Sequence, residues 1–382
     1  MYSETDKKFA ADFLEKVAKK ITAITPKIGA DFPHTHTKNG EYLIKDGDPE
    51  WWTAGYWPGM MWLMYIKTGD EMFRKIAEEC EEKMDIGFEH FSGLHHDVGF
   101  MWELTSVANY KLTGNEMSRI RASHAASILA SRFNPTAQAI KAWPWGNNLW
   151  AIIDCMMNIP ILEWASKYGT EPDPRFADIA RRHADTVMNT FIRPDGSVNH
   201  IVHYDTETGK ILDYPAGQGY ASGSSWSRGQ SWAVYGFVAA YLNSGKEEYL
   251  DVAKRVAHYF MTNVEEGKLP LLDFRQPAEP VFYDSSAAAI TACGLIEIAK
   301  CVSEFEAPMY ERAAISLLRA CVELCNWDED TMWILGMGSG SYSNNRHVPY
   351  VFSDYYLLEA LMKLWGDDGK FIVHDEEIKE EN

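Results

Sequence analysis

The sequence predicts an all-α protein in which six helical hairpins close into a ring, within one domain over residues 1–382. Two observations predict this fold. Apolar residues recur with the 3.6-residue period of an amphipathic helix in about twelve segments, and a short pattern that ends one helix and begins the next recurs along the chain. The periodic segments lie near residues 7–25, 56–67, 70–85, 99–112, 115–133, 149–168, 174–192, 227–243, 246–264, 284–303, 308–326 and 354–366.

The recurring pattern has a glycine between two helical stretches. Its copies read YIKTGDEMFRKIA, YKLTGNEMSRIRA and YLNSGKEEYLDVA, with a looser SKYGTEPDPRFADIA. A glycine after a helix takes the left-handed conformation without steric penalty, and the acids that follow it suit a helix N-terminus. We therefore predict tight helical hairpins that turn at Gly69, Gly114, Gly169 and Gly245.

The ring is predicted to close rather than to remain an open solenoid. Neither end of the sequence carries an obvious polar capping repeat, and the last helical segment, DYYLLEALMKLW, is strongly apolar. Strands are expected to be few and short, as in SVNHIVHYD. Long irregular inserts between helices are where a functional site would be built, and they span residues 26–55, 86–98, 134–148, 193–226, 265–283 and 327–353.

Composition argues against several classes of function. The formal net charge of −19 repels phosphate backbones and anionic membrane surfaces, so neither nucleic acid nor a membrane is an expected partner. No apolar run approaches the ~20 residues that span a bilayer, and the first residues read as an amphipathic helix rather than a signal peptide. The six cysteines lie among apolar helical residues without CxxC spacing. We expect a cytoplasmic protein that is monomeric or weakly dimeric.

The inserts and the helix starts after them concentrate tryptophan beside arginine, glutamine and histidine. This combination is typical of a sugar-binding cleft, because aromatic rings stack on pyranose faces while polar groups bind hydroxyls and carboxylates. The segments read WWTAGYWPG, HHDVGF, KAWPWGNN, NHIVHYD, GQG, SSWSRGQSW and DSSAAA.

Asp154 stands out because its surroundings, NLWAIIDCMMNIPILEWA, read as a helix that is apolar nearly all round. Desolvation there would raise the pKa of the carboxyl and keep its proton in place, which a general acid at neutral pH requires. A hydrogen-bonded structural role is an equally good interpretation of the residues alone. Asn158, one turn later, could supply a hydrogen bond for either role.

Asp97 follows two histidines in GLHHDVGFMW and precedes a helical pattern, so it is a candidate N-cap. A metal site would have to combine His34, His36, His95 and His96. Adjacent histidines rarely ligate one ion together and no HExxH spacing occurs, so we expect neither a metal nor a cofactor. Substrate binding is the better interpretation of His96.

Arg228 opens a helical segment in SSWSRGQSW and has two interpretations. It either caps and packs, with its stem against Trp226, or its guanidinium holds a substrate carboxylate against the unfavourable net charge. A serine nucleophile is not indicated, since no GxSxG occurs.

Five ordered motifs, HHDVGF, AIIDCMMNIPILEWA, SSWSRGQSWAVYGF, YDSSAAAITACGLIEIA and SDYYLLEAL, resemble the unsaturated glucuronyl hydrolases of glycoside hydrolase family 88. The resemblance runs from about WWTAGYWPG to the final helix. It implies an (α/α)6 barrel of six helical hairpins, which agrees with the independent count. It also implies a hydrolase that removes the Δ4,5-unsaturated uronic acid from the non-reducing end of lyase-generated oligosaccharides, most readily glycosaminoglycan-type disaccharides.

The resemblance also implies roles for particular residues. Family chemistry is hydration of a vinyl ether, and the family's central acid/base matches Asp154, with Asp97 as its partner acid. Capping and function can coincide at Asp97, and two nearby acids would push one pKa upward, which helps Asp154 hold its proton. The positions that match substrate-binding residues of the family are Trp52, Trp57, Trp143, His200, Gln218, Arg228, Trp232 and Tyr356, with Tyr355 beside the last.

Two departures from the family pattern leave the preferred oligosaccharide open. GQG replaces the HQG of some members, with Gly217 in place of the histidine. The segment GSGSYSNNRHVPYVF lacks the Ser-x-x-Ser-x-Lys pattern with which streptococcal members hold a sulfate, and Asn344, Asn345 and Arg346 are candidate substitutes.

Three other functions fit parts of the sequence. An unsaturated rhamnogalacturonyl hydrolase would share the barrel and the chemistry but act on pectin fragments, although the paired HHD and IIDC motifs favour family 88. A sugar epimerase built on an α/α barrel would work through histidine bases. A non-catalytic carbohydrate-binding protein would tolerate the loss of Asp154.

Overall fold

The structure, a computed structural model, describes residues 2–36, 42–44, 49–146 and 148–374. Its helices are α1 Glu4–Ile28, α2 Tyr56–Thr68, α3 Glu71–Lys83, α4 Asp85–His90, α5 Val98–Trp102, α6 Ala108–Thr113, α7 Glu116–Ser131, α8 Pro160–Tyr168, α9 Pro174–Thr190, α10 Ser227–Ser244, α11 Glu247–Thr262, α12 Ser285–Cys301, α13 Ala307–Val322 and α14 Val351–Trp365. A π-helical turn, Glu103–Val107, joins α5 to α6, and a 3₁₀ turn, Ile153–Met157, precedes α8.

The helices form two concentric rings, which confirms the predicted (α/α)6 barrel. The inner ring runs through α2, residues 98–113, α8, α10, α12 and α14, and α14 contacts α2 to close it. Each inner element packs against one outer helix, in the pairs α2 with α3, α5 with α7, α8 with α9, α10 with α11, α12 with α13, and α14 with α1. The strongly apolar last helix is therefore the element that completes the ring.

Three of the four predicted hairpin turns have the expected glycine conformation. Gly69, Gly114 and Gly245 follow their helices with φ between 68° and 71°, as a left-handed cap requires. Gly169 differs, with φ −58° and ψ 165°. Arg119 donates to the carbonyl oxygens of Tyr168 at 2.8 Å and Gly169 at 3.0 Å, so a side chain completes this helix end and no left-handed turn is needed.

Strands are few and short, as predicted. They are β1 Pro33–His36, β2 Tyr42–Ile44, β3 Phe133–Asn134, β4 Ala139–Ile140, β5 Leu149–Ile152, β6 Ile201–Tyr204 and β7 Ile211–Asp213. The strand β6 lies in the predicted SVNHIVHYD segment and pairs antiparallel with both β5 and β7.

The predicted helix over 149–168 is wrong in its first half. Residues 149–152 form β5, which pairs with β6 from Leu149 opposite Tyr204 to Ile152 opposite Ile201. The helix α8 begins only at Pro160, where a residue without an N–H is tolerated. Apolar residues on both sides of a short paired strand look the same in sequence as a buried helix. Asp154 therefore lies on a 3₁₀ turn at the end of a strand.

The described helices include none that is long and apolar enough to cross a membrane. The interior is rich in rings, and its most completely buried side chains include Trp57, Trp62, Trp102, Trp164 and Trp232. The six cysteines are all unpaired, and four of them are buried. The four buried thiols pack as small apolar side chains of the core.

Candidate active site

Asp97 and Asp154 are brought together by Asn158. The Asn158 side-chain amide donates to Asp97 Oδ1 at 3.4 Å and to the Asp154 carbonyl oxygen at 3.1 Å, and its own Oδ1 accepts from the Phe100 amide at 2.7 Å. The helix α5 and the 3₁₀ turn are thereby fixed to each other. The hydrogen bond that Asn158 could supply to Asp154 is present, but it reaches the Asp154 backbone, and the carboxylate that Asn158 contacts is that of Asp97.

The glycine of the HHDVG motif makes this close approach possible. A Cβ at Gly99 would lie 2.4 Å from the Asn158 Cα and 2.6 Å from its carbonyl oxygen. Any larger residue would push α5 away from the 3₁₀ turn and separate the two acids. The motif therefore encodes both a carboxylate and the packing that positions it.

Asp97 is an ionised carboxylate. Burial alone would raise its pKa, but the neighbouring imidazoles of His96 and His95 and the hydrogen bonds from His95 and Asn158 together hold the pKa below its usual value. His95 Nδ1 lies 3.2 Å from Asp97 Oδ2, and His96 Nε2 lies 3.5 Å from Oδ1. The predicted N-cap position is confirmed, since Asp97 directly precedes α5, but its side chain makes no capping hydrogen bond and is directed to the histidines and Asn158 instead.

Of the four histidines considered from sequence, His95 and His96 lie together among the described side chains, and the side chain of His36 lies outside them. His34 lies 3.2 Å from Thr53 Oγ1 and packs against the ring of Tyr350. Within the described residues, the donor atoms close enough to share an ion are those of His95, His96 and Asp97, which lie within 4.8 Å of one another. Asp97 also accepts a hydrogen bond from Asn158, so this carboxylate has protein partners of its own.

Asp154 is held in its neutral form more strongly than an ordinary aspartate. Burial is the largest cause, and the nearby charge of Asp97 adds to it; together they raise the pKa of Asp154 to about 7, against smaller opposing effects of Arg228 and Trp232. Its Oδ1 has no hydrogen-bond partner among the described residues, and His200 Nε2 lies 3.7 Å from it. One acid with a low pKa therefore stands beside one with a high pKa.

Arg228 is a buried residue whose two terminal nitrogens are already engaged. Nη1 donates to Asp284 Oδ2 at 2.8 Å, to Ser286 Oγ at 3.2 Å and to the Ser339 carbonyl oxygen, while Nη2 donates to the Gly340 carbonyl oxygen at 2.9 Å. Its guanidinium carbon lies 4.5 Å from the Trp226 ring centroid. These contacts support the packing interpretation, and they make Arg228 a fixed positive charge behind Asp154.

Arg228→Ala is expected to destabilise the protein by about 3–5 kcal/mol, because it leaves the Asp284 carboxylate buried without its charge partner. Urea unfolding of the purified variant measures this. In the double variant Arg228→Ala/Asp284→Asn, part of the loss should be recovered, since no unpaired charge remains. An unchanged unfolding midpoint in Arg228→Ala would show that the pair contributes nothing to the fold and would return Arg228 to the role of a substrate-carboxylate ligand.

The predicted aromatic residues fall into three groups. Trp232 and Tyr356 are buried, with ring centroids 5.5 Å apart, and Trp52 packs 5.2 Å from Phe352 in the same cluster. Trp143 lies apart from this cluster, with its ring centroid 5.7 Å from that of Trp150 on β5. Trp57 is wrongly placed by sequence reasoning: it is buried in the core and its indole donates to the Gly29 carbonyl oxygen at 2.9 Å. On α2 the ring faces α1, so it does not line a cleft.

Sequence reasoning missed Trp145 and Asp284. The Trp145 side chain is 62% exposed; its ring centroid lies 6.2 Å from that of Trp143, with the two rings nearly parallel, and 6.2 Å from that of His95, with the two rings nearly perpendicular. The KAWPWGNN segment contains both indoles, but the family resemblance indicated only Trp143 as a substrate-binding residue. Asp284 was noted as part of DSSAAA, and no sequence signal linked it to Arg228, which is 56 residues away.

Gln218 links two inserts above this region. Its side-chain amide donates to the Gly340 carbonyl oxygen at 2.6 Å, and its backbone carbonyl oxygen accepts from the Tyr342 backbone amide at 2.9 Å. The His200 side chain is buried against the Trp226 ring at 4.4 Å. The second buried histidine, His96, has its pKa lowered by burial to about 4. The site thus combines two acids of opposite protonation with neutral histidines and aromatic walls.

The barrel and this pair of carboxylates define a carbohydrate-active enzyme of the α/α-barrel class. The chain belongs to Glycosyl Hydrolase Family 88, whose family model matches residues 21–266. It is thus a glycoside hydrolase, in agreement with the resemblance drawn from the five motifs.

Known proteins resemble this chain over most of its length. An unsaturated glucuronyl hydrolase of Bacillus sp. (strain GL1) is 35% identical over 353 residues, 88% of this chain and 92% of the relative. An unsaturated chondroitin disaccharide hydrolase of Streptococcus pyogenes serotype M1 is 32% identical over 93% of this chain and 90% of the relative. A solved structure of an unsaturated glucuronyl hydrolase variant with dGlcA-Glc-Rha-Glc superposes with a TM-score of 0.89 at 31% identity, covering 95% of this chain and 98% of that one.

Proposed function

We propose that this enzyme removes the Δ4,5-unsaturated uronic acid from the non-reducing end of lyase-generated oligosaccharides by hydrating its vinyl ether, with Asp154 as general acid and base. The observation that carries the proposal is the separation of two neighbouring pKa values. Asp154 keeps a proton near neutral pH while Asp97 beside it is ionised. A pair of acids in opposite protonation states is what proton donation at neutral pH requires.

The first step is the transfer of the Asp154 proton to C4 of the unsaturated ring. The C4–C5 π electrons form the new C–H bond, and positive charge develops at C5 and on the ring oxygen. The carboxylate left on Asp154 and the ionised Asp97 both lie close to this charge and stabilise it. The positive charge of Arg228 opposes this stabilisation, and its ion pair with Asp284 at 2.8 Å reduces the opposition.

The second step is the attack of water on C5, with its proton passing to the Asp154 carboxylate. This restores the acid and gives a hemiketal at C5. The hemiketal opens by breaking the bond between C5 and the ring oxygen, and the hemiacetal so formed at C1 releases the remaining sugar. The sum is one water consumed per linkage cleaved. No displacement takes place at C1, since proton and water add at C4 and C5, so the relation between carboxylate spacing and stereochemistry does not apply.

The proposed substrates are glycosaminoglycan-type disaccharides. Relatives named as unsaturated chondroitin disaccharide hydrolases support this class, and indole rings line the site as they do in sugar clefts. Trp143 and Trp52 are proposed to contact the sugar next to the uronate. His96, Gln218, Trp232 and Tyr356 are proposed to contact or support the uronate itself, and Trp57 is not among the proposed ligands.

The remaining expectations are proposals of the same kind. We propose one catalytic domain over residues 1–382 that works in the cytoplasm as a monomer or weak homodimer, without nucleic acid, membrane or metal partners. The unpaired cysteines support a reducing compartment. The formal net charge of −19 repels polyanions, which supports the proposal that nucleic acid is not a partner.

The test is the ultraviolet absorbance of the conjugated double bond during incubation with unsaturated chondroitin, heparin and pectin-derived disaccharides. Hydration destroys the double bond, so absorbance should fall with a glycosaminoglycan disaccharide and stay constant with Asp154→Asn. If only the rhamnogalacturonan fragment is consumed, the enzyme is an unsaturated rhamnogalacturonyl hydrolase. If none is consumed while oligosaccharide still binds, the carbohydrate-binding interpretation replaces the proposal.

A further inference from the structure

His200 presents one ring nitrogen to Asp154 and the other to a tight turn at residues 216–219. Nε2 faces Asp154 Oδ1 at 3.7 Å, and neither atom has a hydrogen-bond partner among the described residues. Nδ1 lies 3.0 Å from the backbone amide nitrogen of Gln218, called the Gln218 amide from here on, and 3.3 Å from the Ala216 carbonyl oxygen. A neutral imidazole carries a proton on one of these nitrogens, and the turn decides which one.

The hydrogen bonds of the turn are all satisfied only when Nδ1 carries no proton. The Gln218 amide can only donate, and Nδ1 is the acceptor that the structure gives it. The Ala216 carbonyl oxygen already accepts from the Gly219 amide at 3.0 Å, so it does not need a proton from His200. A proton on Nδ1 would instead face the N–H of the Gln218 backbone amide and leave that part-buried donor without its acceptor.

Gly217 is the residue that allows the turn to approach the ring. Its φ is +58°, in the left-handed region, and a Cβ there would lie 2.0 Å from His200 Nδ1 and 2.5 Å from Cε1. No side chain fits in that space without moving either the ring or the turn. We propose that Gly217 is a positioning residue for the reaction: it lets the Gln218 amide lock His200 as the neutral tautomer whose proton is on Nε2, facing Asp154.

The tautomer determines what His200 can do to the catalytic proton. An Nε2 that carries hydrogen cannot accept the proton of Asp154, so the acid keeps it for C4. Once that proton has been transferred, the same N–H points at the carboxylate left behind. The other tautomer would offer a bare Nε2 to the Asp154 carboxyl and draw its proton away from the substrate. This inference rests on the proposed role of Asp154.

The charged and titratable groups around the pair agree with a neutral ring. Asp97, Arg228 and His96 face Asp154 or His200 from the other elements, while Trp226 and Trp232 complete the walls. Burial is the main cause that lowers the pKa of His200 to about 3; the charge of Arg228 adds to it, and the hydrogen bond that a protonated ring would donate to the Ala216 carbonyl oxygen opposes it. The ring is therefore uncharged at neutral pH, and the choice left to it is between the two tautomers.

The experiment is nitrogen-15 NMR of the histidine rings in the full-length, substrate-free enzyme at neutral pH. The chain has 12 histidines, so the His200 signals are assigned as those lost in His200→Gln. The wild type should show a protonated Nε2 and a bare Nδ1. A proton on Nδ1 would overturn the proposal. Because no turnover is needed, this result is independent of whether the ultraviolet assay finds a substrate.

Gly217→Ala tests the positioning role, with Gly223→Ala as the matched control in the same insert. Gly223 also has a left-handed φ, +77°, but nothing lies within 4 Å of its Cβ position. Gly217→Ala should lose the single-tautomer signal, lower kcat at neutral pH by about ten- to a hundredfold, and move the alkaline limb of the kcat profile to lower pH. Gly223→Ala should change none of these. If Gly217→Ala keeps both the His200 tautomer and the alkaline limb of the kcat–pH profile of the wild type, Gly217 has no positioning role. If that variant fails to fold, the wild-type nitrogen-15 spectrum still shows which ring nitrogen of His200 carries the proton.

Discussion

Replacing Asp154 with asparagine is expected to reduce kcat by at least about a thousandfold while leaving the fold and oligosaccharide binding intact. The amide has the same shape but no proton to give to C4 and no base to receive one from water. Steady-state loss of double-bond absorbance measures kcat, and calorimetric titration of the variant with uncleaved disaccharide measures binding. Activity retained per folded molecule would remove Asp154 from the chemistry.

The same substitution should not lower Tm. The folded-state pKa of Asp154 is about 7, raised from the ordinary value of 3.8 by burial and by the charge of Asp97. A carboxyl whose pKa is raised by folding makes the native state less stable as pH rises from about 4 to about 7. Removing it should therefore leave Tm equal to that of the wild type in acid and higher above neutral pH.

Asp273→Asn is the matched control for this pattern, because it changes a buried aspartate that does anchor the fold. Its carboxylate accepts from Ser224 Oγ at 2.6 Å and from the backbone amides of Tyr220, Ser225 and Arg275 at 2.9–3.0 Å. An amide nitrogen would face these donors, so we expect about 1–3 kcal/mol of destabilisation. A similar loss in Asp154→Asn would mean that both aspartates are structural.

Asp97→Asn is expected to lower kcat by about a hundredfold and to shift the alkaline limb of the kcat profile to lower pH. Burial is the larger cause of the raised Asp154 pKa, and the charge of Asp97 is the second. Removing that charge lowers the pKa of Asp154 from about 7, so the proton is lost earlier as pH rises. The profile is measured from kcat at saturating disaccharide across the neutral range.

Glu81→Gln provides the comparison for Asp97→Asn. Glu81 is buried and is held by Ser106, Asn109 and Ser118, remote from Asp154. The Glu81→Gln variant should be less stable than the wild type but should keep the alkaline limb of the kcat–pH profile at the wild-type pH. If the alkaline limb of the kcat–pH profile does not move in Asp97→Asn, the charge of Asp97 does not act on Asp154. Asp97 would then not be its partner acid.

Sequence predicted the barrel well because its signals are local. Left-handed glycines such as Gly69 and Gly245 and the helical apolar period are set by neighbouring residues, so they can be read without a structure. The two acids were also found, one from its apolar surroundings and one from its motif. The contact that joins them could not be predicted, because Asn158 binds Phe100 and Asp97, which are 58 and 61 residues away along the chain.

The errors share one cause, which is that tertiary contacts decide between equally good local interpretations. The strand β5 forms because β6 is present to pair with it, 52 residues later. Arg228 is engaged by Asp284 and the 339–340 backbone, which no spacing reveals. Trp57 has the same local sequence whether it faces α1 or a cleft. The Gly217 contact with His200 likewise depends on how two inserts meet.

The most direct test of the central claim, that Asp154 delivers a proton to C4, is a single-turnover reaction in deuterium oxide. The keto-uronate is reduced with borohydride as soon as it forms, so that later exchange at C4 is prevented, and NMR then locates the label. Delivery by Asp154 predicts one deuterium at C4 on a single face of the carbon. Equal labelling of both faces would mean that the double bond leaves the enzyme intact and tautomerises in solution, which would contradict enzymatic hydration.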